Sequence, residues 1–127
     1  MIKKILIGIL ILLAVGGIAG YIFFQNVEKD MASLETAEIT AIDLSVVEDG
    51  VYEGAYKALP ISVEVRVTVH EHRITEIELV KHTNGQGEAA ETVTGSVMEA
   101  QSLQVDTVSG ATYSSKVILL AIGDALQ

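Results

Sequence analysis

Ten residues near the C-terminus, Asp106-Thr107-Val108-Ser109-Gly110-Ala111-Thr112-Tyr113-Ser114-Ser115, carry the side chains best placed for chemistry. Ser109 and Gly110 supply a turn, and Ala111 leaves space that a larger residue would fill. An apolar helical pattern starts directly afterwards, so the Thr112 hydroxyl stands at a helix N-terminus. Backbone N–H groups there lack intrahelical acceptors and favour an anion, with a dipole contribution of roughly 0.3–1 kcal/mol when exposed. Ser114 and Ser115 add donors in the first turn. Lys116 is the one cation close by, so a dissociable phosphate would be held weakly. A phosphoester on Thr112 would not depend on affinity at all. The alternative is that Thr and Ser only cap the helix, and these ten residues alone leave both readings open.

A second polar segment, His82-Thr83-Asn84-Gly85-Gln86-Gly87, has two glycines that allow close backbone approach to a ligand. His82 opens this loop and is the histidine with a candidate ligand contact. His70 and His72 belong to a hairpin end, and the three histidines share no metal-ligand spacing, so no metal site is expected. Tyr113 is placed either to stack on a cofactor or to pack against a sheet. Ser109 and His82 lack an oriented acid and a nucleophile elbow, which argues against a hydrolase. The chain has no Cys. Disulfides, thiolate-held iron–sulfur clusters and c-type haem are thereby excluded. A redox role would need a cofactor independent of thiols, and flavin qualifies.

The elements that must position these residues follow from periodicity. Ile5 to Val27 holds no charge, and at roughly 1.5 Å per residue it spans the ~30 Å core of a bilayer. An uncleaved anchor is the expectation. A cleaved leader, with Lys3 and Lys4 as its basic region and Gly17-Ile18-Ala19 as its cleavage site, is the competing reading. Lys3 and Lys4 favour a cytoplasmic N-terminus and an extracytoplasmic domain. Residues 28–48 read as a juxtamembrane stalk with a loose helical stripe of Val27, Met31, Leu34, Ile39 and Ile42. Asp49-Gly50 marks its end as a turn.

Ile61 to Val69 alternates apolar and polar residues, which predicts a strand with one wet face. Glu71-His72-Arg73 is a turn and Ile74 to Val80 a second strand, paired with the first as an antiparallel hairpin. Val51 to Tyr56 predicts a shorter strand beside them, and Pro60 shapes the start of the long one. Glu88 to Ser102 reads as a helix with Ala89, Val93, Val97, Met98 and Ala100 inward. A final helix follows, with Val117, Leu120, Ala121 and Ala125 or Leu126 inward. The expected class is α+β: a small antiparallel sheet with helices packed on it, behind one N-terminal transmembrane helix. The divisions are 1–27 anchor, 28–48 stalk and 49–127 domain.

All seventeen acidic residues lie beyond the anchor with only six of the eight basic ones. Such a surface repels nucleic acid and anionic headgroups, so no nucleic-acid partner is expected and lipid contact is confined to the helix.

From about Asp49 onward the chain resembles the small FMN-binding domain of the flavin subunits of sodium-pumping NADH:quinone reductase and Rnf-type complexes, and of extracellular flavin reductases. The likeness runs through Asp49-Gly50-Val51-Tyr52-Glu53-Gly54, both strands, the His82–Gly87 loop and Glu99-Ala100-Gln101-Ser102. It ends on Asp106-x-x-Ser-Gly-Ala-Thr112, which resembles the site where a flavin transferase esterifies FMN onto Thr. The resemblance implies covalent FMN at Thr112 and transferase recognition at Asp106. It further implies cofactor contacts from Ser109, Gly110, Ala111, Tyr113, Ser114, His82, Gly85 and Gly87. Other members often carry an acidic residue and Pro in the loop, where this chain has Asn84 and no Pro. The implied function is a membrane-anchored, extracytoplasmic electron-transfer flavoprotein with no catalytic residue of its own. Membrane redox proteins or a quinone are its candidate donors and acceptors. The alternative is a flavin-binding regulatory or interaction module of a membrane complex, without turnover.

Overall fold

A computed structural model of the chain describes residues 1–83 and 87–127, with the backbone alone at 87–91. The class is the expected α+β. One long apolar helix precedes a three-stranded antiparallel sheet, and two further helices follow.

The central strand β2 (Ile61–His70) shows why the sheet forms. Val63, Val65, Val67 and Val69 are at most 1% exposed, while the intervening Glu64 and His70 face solvent. β-branched residues at every second position bury one face of a pleated strand without crowding χ1. β1 (Gly50–Ala58) pairs with it from Gly50↔Val69 to Ala58↔Ile61. β3 (Arg73–Thr83) pairs on the other side from His70↔Arg73 to Ser62↔Thr83, with register shifts at Glu64/Val65 and Thr68/Val69. Both outer strands run past their expected ends at Tyr56 and Val80. β2 offers backbone partners along its whole length, and pairing outweighs the weaker side-chain pattern there. The β1–β2 turn, with a cis Leu59–Pro60 peptide, and the end of β3 therefore share one end of the sheet.

Helix α2 (Gly87–Ala100) buries Val93 and Val97 and packs Met98 on the core. Ala100, expected inward, is exposed, because it falls in the last turn where the chain leaves the sheet. The side chain of Ala89 lies outside the described residues. Gln101 follows at φ +50, and its side chain accepts from Ile74 N (2.7 Å) and donates to Ile74 O (3.0 Å) and Met98 O (2.6 Å). One amide thus pairs with a free edge of β3 and ends α2 at once.

Helix α3 (Thr112–Leu126) starts five residues before its first apolar position. Val117, Ala121, Ala125 and Leu126 are buried as expected and Leu120 partly, but Ile118, Leu119 and Ile122 are also fully buried. A single inward stripe is too narrow a description. The helix lies against β1 and β2 and also touches α2 and the first helix. Gly54 lets it come this close: a Cβ there would collide with the Ala121 carbonyl and lie 2.5 Å from Ala125 N. Asp124 accepts from Ala55 N at 3.0 Å beside it.

The first helix, α1 (Ile2–Thr36), continues well past its apolar part. Leu34 is in the core, whereas Ile39 and Ile42 of the expected stripe lie in extended chain after the helix and pack there. That segment runs along the domain, with Gln104 Nε2 donating to Ile39 O at 2.7 Å. It reaches the β2–β3 turn, where His72 Nδ1 lies 3.1 Å from Leu44 O.

Gly54→Ala should destabilise the domain by about 3 kcal/mol or more, since the new methyl meets two backbone atoms and the Ala125 Cβ, none of which can swing away. Thermal unfolding of Gly54→Ala beside Ala55→Gly, which faces outward, checks this.

Candidate functional site

Thr112 is the first residue of α3, and its side chain is exposed. The turn before it closes through Ala111 N to Val108 O at 2.9 Å, and Gly110 adopts φ +81, which a Cβ would strain. Ser115 fixes this turn from inside. Its Oγ accepts from Val108 N (3.1 Å) and donates to Ala111 O (2.7 Å), and the residue is fully buried. Ser114 is also buried, so the two serines act inward and not as surface donors. The N-cap residue is Ala111, with no side-chain capping bond. Thr112 thus stands one position past the cap, and the first intrahelical bond comes only at Ser115 N. Ser109 and Asp106 are exposed on the same loop.

Two neighbours are held by a distant element. Tyr113 is 39% exposed and its hydroxyl donates to Glu35 Oε1 at 2.6 Å. That bond and the nearby negative charge raise the phenol's pKa, so Tyr113 stays protonated at neutral pH. Lys116 Nζ donates to the Glu35 carbonyl at 2.9 Å. No sequence signal pointed to Glu35, because its partners lie 78 and 81 residues away.

His82 pairs with Val63 near the end of β3, on the half-buried side. Its Nε2 is buried and has no hydrogen-bond partner among the described residues. Burial lowers the imidazole pKa, which leaves a neutral ring able to donate or accept one hydrogen bond. Gly85 lies outside the described residues, and Gly87 is described only as the backbone start of α2.

Sheet register and the α1 contacts bring these pieces to one end of the domain. Asp30 accepts from Leu59 N (3.1 Å) at the β1–β2 turn, and Glu35, further along the same helix, holds Tyr113 at the start of α3. The end of β3, with His82 and Thr83, shares that end of the sheet. His70 and His72 are at the other end, where His70 Nδ1 lies 2.9 Å from Asp49. Among the described residues no cluster of metal-ligating side chains occurs.

The FMN-binding domain family matches residues 56–127, more than half of the chain. The chain belongs to the FMN-binding domain family. The match begins inside β1, whose earlier residues from Gly50 are fully paired in the same sheet. An uncharacterized protein of Treponema pallidum (strain Nichols) is 35% identical over 83 residues, 63% of this chain. The chain spans 23% of that relative's length. Among the described residues of this chain, one N-terminal helix long and apolar enough to cross a membrane precedes the FMN-binding domain.

The residues fit an FMN. An exposed Thr at an uncapped helix start suits a phosphate, and the orphaned Nε2 of His82 suits a polar edge of an isoalloxazine. Because the folded-state pKa of His82 is depressed, the unfolded chain binds more protons as pH falls below about 6.5. Its contribution to stability is therefore complete above that pH and is lost toward the folded-state pKa. Urea melts across this range should show a smaller acid-side loss in His82→Gln than in the parent. Equal slopes would mean that His82 is not held neutral.

Proposed function

We propose that this protein is a membrane-anchored electron-transfer flavoprotein that carries FMN through a phosphoester on Thr112. The observation that supports it is the exposed Thr112 hydroxyl at the uncapped start of α3, inside the sequence Asp106-x-x-Ser-Gly-Ala-Thr112 of an FMN-binding domain. A flavin transferase is the maturation partner, with Asp106 as the exposed recognition residue of the loop.

Bound FMN would supply reversible acceptance and release of electrons. The chain's own residues do the rest. Ser109, Gly110 and Ala111 shape the turn that presents Thr112, and Ser115 fastens it from below. The N–H groups of Thr112 and Tyr113 precede the first intrahelical bond and are the donors that a phosphate on Thr112 would meet. Ser114 is buried in the same first turn. Lys116, one helical turn beyond Thr112, is the nearest cation in sequence. The Tyr113 ring, fixed by Glu35, offers an apolar face beside the attachment point. His82 offers its unpaired nitrogen, and Gly85 and Gly87 permit close approach of the intervening loop.

The anchor is α1, with the N-terminus cytoplasmic and the domain extracytoplasmic. The domain is small for holding a substrate pocket beside a flavin, so the chain fits carriage of electrons better than turnover of a separate substrate. Membrane redox proteins or a quinone are the candidate donors and acceptors.

Protein co-expressed with a flavin transferase should stay yellow after denaturation, and its absorbance should bleach and return on reduction and reoxidation. Thr112→Val should be colourless once denatured, whereas Thr112→Ser should keep its flavin. A Thr112→Val protein that remains yellow through denaturation would overturn the assignment.

A further inference from the structure

The charge-free run of α1 ends at Val27, yet the helix continues unbroken to Thr36. Its last turns are docked. Val27, Asp30, Met31 and Leu34 fall at i, i+3, i+4 and i+7, on one face of the helix. Leu34 is fully buried in the core, Met31 packs against it, and Val27 and Asp30 are half-buried. Three polar contacts join this packing: Asp30 to Leu59 N, the Glu35 carboxylate to the Tyr113 hydroxyl, and the Glu35 carbonyl to Lys116 Nζ. Two of the three fall on residues directly beside, or one turn from, Thr112.

Height follows from helix rise. With α1 as the proposed membrane anchor and Val27 at the bilayer edge, Glu35 stands about 12 Å along the axis beyond Val27, which puts the start of α3 close to the bilayer surface. Charge works against that position. Beyond Val27 the chain has seventeen acidic and six basic residues, and anionic headgroups repel such a body. The repulsion acts over a Debye length of about 10 Å at 0.1 M salt and about 30 Å at 0.01 M, which covers the height in question. A flexible linker would let the domain drift outward as salt fell. A docked helix would not.

We propose that residues 28–36 are a rigid strut that holds the Thr112 end of the domain at a fixed, short height over the membrane, against the repulsion of its own charge. Asp30, Glu35, Tyr113 and Lys116 are its positioning residues. The redox meaning of this placement rests on flavin at Thr112; the placement itself does not.

The absence of Cys allows a clean test, because Thr112→Cys in the full chain takes one fluorophore with no flavin present. The labelled protein is placed in phosphatidylglycerol vesicles that contain a lipid with a nitroxide on its headgroup. Strong quenching is expected, equal at about 0.01 M and about 0.3 M salt. Asp30→Ala/Glu35→Ala should roughly halve the quenching at low salt and regain it at high salt, as screening predicts. Gly-Ser-Gly-Ser inserted between Asn26 and Val27 breaks the helix below every docked residue and leaves the domain's contacts intact. It should give the same salt-dependent loss, even if the double variant folds poorly. The strut is overturned if parent quenching itself rises with salt, or if the insertion matches the parent at both concentrations. Failure to flavinylate Thr112 in a separate preparation would leave this result unchanged and count only against the flavin assignment.

Discussion

The packing of α3 is the interaction on which the rest of the structure depends. Val117, Ile118, Leu119, Ala121 and Ile122 are each fully buried, and the helix meets β1, β2, α2 and α1. Burial of five such side chains is worth on the order of 10 kcal/mol before conformational entropy is set against it. Gly54 is a geometric condition for that burial, since a Cβ there would collide with the Ala121 carbonyl and with Ala125. With its middle and C-terminal turns fixed in this way, α3 can expose its first turn without fraying. Thr112 and Tyr113 are exposed at the start of a helix whose later residues are the core itself.

That arrangement separates two tasks usually in conflict. A site that accepts a bulky group must be open, while the backbone that presents it must be rigid. Here openness belongs to Thr112 and Ser109, and rigidity comes from Ser115, buried and bonded to both Val108 and Ala111. Two small-residue positions complete the loop: Gly110 supplies the left-handed turn and Ala111 the uncapped helix start. The start of α3 is then tied outward to Glu35, so the N-terminal helix, long and apolar enough to cross a membrane, and the presenting helix share contacts with no intervening linker.

Much of this was legible in the sequence where one side-chain pattern had one physical cause. The alternation in β2 could only be a half-buried strand, and the Asp106–Thr112 loop could only be a turn followed by a helix. Legibility failed where tertiary contacts decided the outcome. Thr83 joins β3 because Ser62 offers it a partner, not because Lys81 and His82 favour strands. Ser114 and Ser115 looked like surface donors, since nothing local reveals that neighbouring elements bury them. Ile118, Leu119 and Ile122 seemed to lie outside a helical stripe, because a stripe presupposes one packing face. Glu35 carried no signal at all, as its partners are brought to it by the fold alone.

The central claim is the phosphoester on Thr112, and localising the adduct within one peptide tests it most directly. Among the described Lys and Arg, Lys81 and Lys116 bracket the whole region, so trypsin releases His82 to Lys116 as one piece. Besides Thr112 it contains Thr83, Thr92, Thr94, Ser96, Ser102, Thr107, Ser109, Tyr113, Ser114 and Ser115, all alternative hydroxyls. Fragmentation of that peptide from transferase-matured protein should place an FMN phosphoester on Thr112 and leave Thr107 and Ser109 unmodified. A peptide of unmodified mass, or an adduct fixed on any other hydroxyl, would contradict the account.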